Sequence, residues 1–171
     1  MIIVCPYVDL HPQTDERRSR LPDDFDVRFT RIDRKDPKAY ERILRWYWEA
    51  GSSFCVVEQD VVPPSSFEEV LLGDCCDYGC FPYAWLTDVG PALGCTWFRT
   101  PFLERYPEVM GLVAAENVSW RQLDVVLMRH VLARDRGEQP HVHLPPADHL
   151  NPDKQLLPAA SPEPLLSVPH W

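Results

Sequence analysis

The sequence is poor in the local signatures by which α/β proteins usually reveal their chemistry. Glycine accounts for 7 of its 171 residues. Among them there is no glycine-rich phosphate loop, no dinucleotide fingerprint and no nucleophile elbow, which argues against the commonest nucleotide-binding and serine-hydrolase designs. No apolar run approaches the roughly 20 residues that a membrane span requires. Basic residues are outnumbered, with 17 Lys and Arg against 26 Asp and Glu and a formal charge of -9. Tight, non-specific binding to nucleic acid needs cationic surface to displace counterions, so none is expected, and an anionic membrane is disfavoured on the same ground. There is no internal repeat. Met1-Ile-Ile-Val-Cys-Pro6 lacks the basic leader of a signal peptide and the chain turns polar by Asp9. A cytoplasmic protein whose six cysteines are thiols is therefore expected.

What the chain does have is a short unbroken apolar run, Phe54-Cys-Val-Val57, followed at once by Glu58-Gln-Asp60. Such a run reads as a strand buried on both faces of a sheet. An acidic pair at its end puts negative charge in the crevice at the carboxyl edge of an open α/β sheet, where ligands of that architecture bind. Residues one apart straddle a strand end, so Glu58 and Asp60 can serve one divalent cation only if the chain turns there. Oxygen ligands suit magnesium, manganese or calcium better than zinc. The plainer alternative is two solvated acids.

The rest of the chain places this strand in a mixed sheet. Met1 to Cys5 reads as a first buried strand, and the proline- and charge-rich stretch from Pro6 to Pro22 as a loop. In that loop Arg17, Arg18 and Arg20 could contact phosphates or form a solvated basic run. Asp26 to Asp33 alternates imperfectly, as a strand toward a sheet edge does, and ends in a third carboxylate, Asp33. Asp36-Pro37 is an N-cap signal for a helix reaching about Ala50, with Tyr40, Ile43, Leu44 and Tyr47 at helical spacing and Gly51 as its stop. After Pro63-Pro64, Ser65 or Ser66 can cap a helix over Phe67 to Leu72. Strands over 77–85 and 91–99, joined by a short turn-forming linker, predict an antiparallel pair. Thr100-Pro101 opens a short helix that Pro107 ends, and another covers 108–115. Ser119 precedes a long helix from Trp120 to about Arg136 that carries Leu123, Val126, Leu127, His130 and Val131 inward. Residues 152–171, with prolines at 152, 158, 162, 164 and 169, read as a tail.

Several side chains invite chemistry. Cys5, Cys55 and Cys95 lie in apolar runs and act as small hydrophobes. Cys75, Cys76 and Cys80 form a closer group, but their spacing matches no standard zinc pattern and no histidine stands near them in sequence. His141 and His143 alternate along a short strand and face the same side, so with a nearby acid they could hold zinc, while histidine with carboxylates also suits manganese. Trp85 and Asp88 could stack on a sugar ring and accept its hydroxyls, or serve as core edge and turn.

Taken in order, the strand ending in Glu58-Gln59-Asp60, the small-residue strand Ala92-Leu-Gly-Cys-Thr-Trp-Phe98, the helix bearing Asp124, and the histidines of Pro140-His-Val-His143 and His149 resemble a compact glycosyltransferase of the GT-A type. The resemblance covers Met1 to about Asn151. It is strongest to short proteins of this type from actinobacteria and their phages. It implies one Rossmann-like domain over 1–151 with a mixed sheet flanked by helices, and a proline-rich tail over 152–171. Residues matching the base-binding loop of the family are Cys5, Pro6 and Tyr7, and the acid that holds base or ribose matches Asp33. Glu58-Gln59-Asp60 stands where the family has its DxD motif, so the resemblance puts Asp60 on a manganese or magnesium ion and the donor diphosphate, and Glu58 on the metal or the ribose. His149 or His143 would complete the metal shell, and Asp124 would be the catalytic carboxylate of an inverting reaction. Glutamate in place of the first aspartate moves one carboxylate a methylene further out, and the chain is short for the fold.

The function so implied is transfer of a sugar from a nucleotide-sugar donor to an acceptor that could be protein, glycan or nucleic acid, in the host cytoplasm if a phage encodes it. Two alternatives stand beside it. One is a metal-dependent hydrolase using Glu58, Asp60 and the histidines to activate water. The other is a non-catalytic binding module on the same fold. Asp124 also has a plain reading, because the helix macrodipole favours an acid in the first turns whatever its function.

Overall fold

The computed structural model describes residues 1–9, 12–14, 24–83, 93–119, 122–134 and 140–149. Six strands form one mixed sheet in the order β2-β1-β3-β6-β5-β7. They are β1 (Ile2–Tyr7), β2 (Asp26–Arg31), β3 (Phe54–Val57), β5 (Tyr78–Cys80), β6 (Cys95–Phe98) and β7 (His141–Val142). β1 pairs in parallel with β2 on one side and β3 on the other. β6 runs antiparallel to both β3 and β5, and β5 is parallel to β7. The expected antiparallel pair is thus β5 and β6, and β2 lies at the edge its irregular alternation predicted.

Period-two alternation distributes the core to both faces of the sheet. Val4, Phe54, Val56 and Phe98 face one side, where they meet α1 (Ala39–Glu49), α3 (Thr100–Arg105), α4 (Val109–Ala115) and α5 (Leu123–Arg134). Ile3, Cys55, Val57, Cys95 and Trp97 face the other, against α2 (Phe67–Leu72). The first face is dense in aromatics. Phe98 lies 5.1 Å from Trp48, 5.2 Å from Phe54 and 5.1 Å from Tyr78, ring centre to ring centre. Its truncation to alanine should cost about 3–5 kcal/mol, as for other buried aromatic residues.

Several local expectations need correcting. β1 continues through Pro6 and Tyr7, because the parallel register to Thr30 and Arg31 carries on past Cys5. α1 starts at Ala39, not Pro37; Asp36 still caps the turn ahead of it, with its Oδ1 accepting from Lys38 N at 3.0 Å. Gly51 ends α1 at φ +67°, a left-handed conformation that favours glycine. Ser66 sits at the N-cap of α2 but makes no side-chain cap bond. Thr100 opens α3, yet its hydroxyl donates to the Gly51 carbonyl at 3.0 Å and so joins two elements where a cap was expected. Trp46 is 71 % exposed, whereas Trp48 is buried and donates its indole N–H to Tyr106 O. His130, expected inside, is half-buried and pairs with Glu116 at 2.5 Å.

A feature the sequence did not suggest follows Asp60. Val61–Val62 form a second short strand, β4, which pairs antiparallel with β8 (Asp148–His149) in a two-stranded sheet. Among the described residues no helix is long and apolar enough to cross a membrane.

Candidate functional site

Because β1, β2 and β3 are parallel, their carboxyl ends open onto one edge of the sheet. Pro6 and Tyr7 close β1, and Tyr7 O accepts from Ile32 N at 2.8 Å where the chain leaves β2. Asp33 follows, exposed. It lines an open groove of about 420 Å³ together with Val8, Arg31, Ile32 and Arg34. The groove therefore lies between the exits of the first two strands, where the resemblance puts the nucleotide.

At the end of β3 the chain turns, as one shared site would require. Val61 N donates to Glu58 O at 3.1 Å, and Glu58 N to Gly94 O at 2.9 Å on β6's approach. Gln59 points back across the edge. Its Oε1 accepts from Val8 N at 2.6 Å and Asp9 N at 3.1 Å, and its carbonyl accepts from Thr14 Oγ1 at 2.9 Å. The middle residue of the acidic triplet thus ties the β1 exit to the β3 exit, and its amide oxygen is already occupied.

Glu58 lies against Tyr83, whose hydroxyl donates to Oε2 at 3.0 Å. Burial, and then the charge of Asp60, push the Glu58 carboxyl up to about 7. The Tyr83 bond pulls it part of the way back, as does the buried Tyr40 hydroxyl, which faces the same carboxyl without a regular hydrogen bond. Asp124, in the first turn of α5, is close enough to Glu58 to raise it further, and burial raises Asp124 itself. Gly94 leaves room for this contact. A Cβ there would lie 1.3 Å from Tyr83 Oη and 2.9 Å from Glu58 Oε2.

Asp60 is the open member of the pair, its side chain 40 % exposed. The register of β4 with β8 sets Val61 opposite His149, which brings His149 Nε2 to 3.4 Å from Asp60 Oδ2. The His149 ring meets Tyr83 edge-on at 4.9 Å. One tyrosine therefore touches both the half-buried acid and the histidine that pairs with the open one. An oxygen and a nitrogen donor at this separation can hold a divalent cation.

His143, the other histidine considered for that shell, lies elsewhere. Its Nε2 is 3.7 Å from Cys75 Sγ and 3.6 Å from Cys76 Sγ, beside β7 and the loop before β5. Burial, and then the charge of His141, hold its imidazole below the usual range. Cys80, placed by sequence in the same group, is instead buried within β5. Arg17, Arg18, Arg20, Trp85, Asp88 and the tail 152–171 lie outside the described residues.

Sequence reasoning missed Tyr83, Tyr40 and Gly94. Each carried a bland signal, an aromatic in a strand or helix stripe or a glycine in a strand, and only their convergence on Glu58 marks them.

No protein-family model matches the chain, and no curated protein sequence does. Solved structures do match. A197 from STIV aligns over 99% of this chain and 98% of its own, at 16% identity and a TM-score of 0.53. A glycosyltransferase involved in the glycosylation of the major capsid of PBCV-1 aligns over 83% of this chain and 80% of its own, at 15% identity and a TM-score of 0.55. At that identity the likeness defines the fold. The chain is an α/β protein with a glycosyltransferase-like fold, a six-stranded mixed sheet flanked by helices.

Proposed function

We propose that the protein is a metal-dependent glycosyltransferase of the GT-A type, moving a sugar from a nucleotide-sugar donor to an acceptor hydroxyl in the cytoplasm. The observation that carries this reading is the pairing of Asp60 with His149, beside Glu58 and Asp124, at the ligand-binding edge of a sheet shared with a glycosyltransferase. A carboxylate oxygen with an imidazole nitrogen suits manganese better than magnesium, so Asp60 and His149 would hold a manganese ion. Glu58 fits less well as a ligand, since Tyr83 occupies Oε2 and burial favours its neutral form. It backs the site as a hydrogen-bonded acid.

The roles of the chain's own residues follow. Asp33 lines the groove that takes the base and ribose, Pro6 and Tyr7 close the strand beside it, and Gln59 ties the two strand exits together. Asp124, half-buried and raised above the usual carboxylate range, takes the proton of the acceptor hydroxyl. As that oxygen bonds to the anomeric carbon, the bond to the diphosphate breaks and the electron pair leaves with it. A bound cation supplies Lewis-acid stabilisation of the departing charge. Attack opposite the leaving group inverts the anomeric centre.

The test is thermal stability against a panel of nucleoside diphosphates and their sugars, each with and without manganese. A ligand that binds only the native state raises the midpoint by mass action. The expected result is a rise that needs both manganese and one nucleotide and disappears in Asp60→Ala. Donor turnover that ignores every acceptor would instead favour the hydrolase. No shift with any nucleotide or metal would leave a binding module.

A further inference from the structure

A second cluster gathers four potential ligands apart from the acidic edge. Cys75, Cys76, His141 and His143 each offer one ligand atom, and the four atoms lie within 4.8 Å of one another. Cys75 Sγ, Cys76 Sγ and His143 Nε2 form a triangle with sides of 3.6, 3.7 and 3.6 Å. Tetrahedral zinc, with bonds of about 2.3 Å to sulfur and about 2.0–2.1 Å to nitrogen, requires S···S edges of about 3.8 Å and S···N edges of about 3.5 Å. The triangle already has those dimensions. The exposed His141 ring, 4.7 Å from that of His143, can supply the fourth corner by a small rotation.

The surroundings hold this arrangement in place. Arg99 braces the loop that carries both cysteines, donating to Leu71 O and Cys76 O at 3.1 Å each, to Gly73 O, and to Asp74 at 3.2 Å. His143 N donates to Cys80 O at 2.9 Å, and its ring packs 5.1 Å from Trp97 and 5.8 Å from Phe81. The buried Trp97 indole N–H, which has no regular acceptor among the described residues, lies against Cys76. Burial, and then Cys75, push the Cys76 thiol up to about 12, and a donor in that position pulls it part of the way back toward thiolate.

We propose that Cys75, Cys76, His141 and His143 bind one structural zinc ion at the outer edge of the sheet. Two thiolates and two imidazoles form a soft, closed tetrahedral set that selects zinc over manganese or magnesium. Adjacent cysteines depart from the usual spacing, which is why no sequence pattern reveals the site. The ion fastens residues 140–149 to the loop before β5. That segment is otherwise tied down by two short strands and a few backbone bonds, Ala147 N to Pro82 O at 2.9 Å among them. The same segment delivers His149 to Asp60, so the zinc also steadies the second site without taking part in it.

The experiment uses the full chain purified under reductant. Zinc content is measured by elemental analysis, and the metal-stripped protein is then titrated with cobalt(II). Expected are one zinc per chain and, with cobalt, the near-ultraviolet thiolate charge-transfer band together with the visible bands of a tetrahedral ion. Cys75→Ser should halve the charge-transfer intensity, and Cys75→Ser/Cys76→Ser should abolish it. Asp60→Asn should leave it whole, which separates this site from the one in the proposed transfer reaction. Absence of the band in the unaltered chain would overturn the proposal, and this outcome depends on no variant folding. A band that survives the double substitution would overturn it equally.

Discussion

Two clusters of potential metal ligands stand on this sheet, and they differ in almost every respect except the segment that serves both. At the carboxyl edge, Asp60 and His149 offer an oxygen and a nitrogen donor, the carboxylate open to solvent, backed by the half-buried acids Glu58 and Asp124. At the β7 edge, two thiols and two imidazoles gather four ligand atoms within 4.8 Å of one another, enough for the closed tetrahedral set proposed above. The first arrangement is what a catalytic cation needs, and the second is what a structural one needs. Residues 140–149 supply His141 and His143 to one and His149 to the other. The comparison teaches that a segment with little secondary structure can bring together side chains of two separate clusters.

The largest effect should come from Asp60. Asp60→Asn keeps shape but removes the charge, and should lower the proposed metal-dependent transfer by about 10²–10³-fold, the usual loss on removing one electrostatic stabiliser of a transition state. Steady-state kinetics at saturating manganese would measure it, and a loss below fivefold would remove Asp60 from the site.

Gly94→Ala attacks the acidic edge from beneath. The new methyl would overlap Tyr83 Oη, and the rearrangement should cost about 3 kcal/mol in urea unfolding, the upper range for overpacking. The cobalt band of the thiol–imidazole cluster should survive in the folded fraction.

Glu58 makes the edge pH-dependent. Its folded carboxyl is raised to about 7, above its unfolded value, so the native state binds the proton more tightly. The stabilisation is complete below the unfolded value, near pH 4.5, and is lost as pH rises to about 7. Glu58→Gln, a neutral isostere, should flatten that slope, gaining on the order of 2 kcal/mol over the parent protein at pH 8 without added metal. Urea titrations across pH 4.5–8 would detect it; parallel curves for the two proteins would sink the assignment.

Tyr83→Phe should give the smallest change, about 1 kcal/mol, the worth of one hydrogen bond. Because the Tyr83 bond lowers the Glu58 carboxyl, the variant should also shift its titration upward, readable by carboxyl-labelled NMR.

Much of the edge was legible because its signals are local. The apolar run Phe54–Val57 is buried on both faces, the turn after it carries Glu58 and Asp60, and β5 and β6 pair antiparallel as their spacing suggested. Asp124 was readable as an acid at the start of an amphipathic helix, and the structure brings it within electrostatic reach of Glu58. The division of the late histidines was not legible. The resemblance allowed His143 or His149 beside Asp60, and the β4–β8 register sets His149 there. Nor was the role of Gln59 apparent, since nothing in the triplet says that its amide crosses to Val8 and Asp9.

By itself the sequence determined most elements of the main sheet and the helices around it, the acidic edge of β3, and the absence of any glycine-rich phosphate loop. These are properties of period and of near neighbours, and a short window contains them. Tertiary structure alone decided which distant side chains meet. His143 reaches Cys75 and Cys76 across 68 and 67 positions of chain. His149 reaches Asp60 through a two-residue strand whose pairing no local pattern announces. Strand order and register set these encounters, and they arise from the packing of the whole sheet rather than from any segment within it.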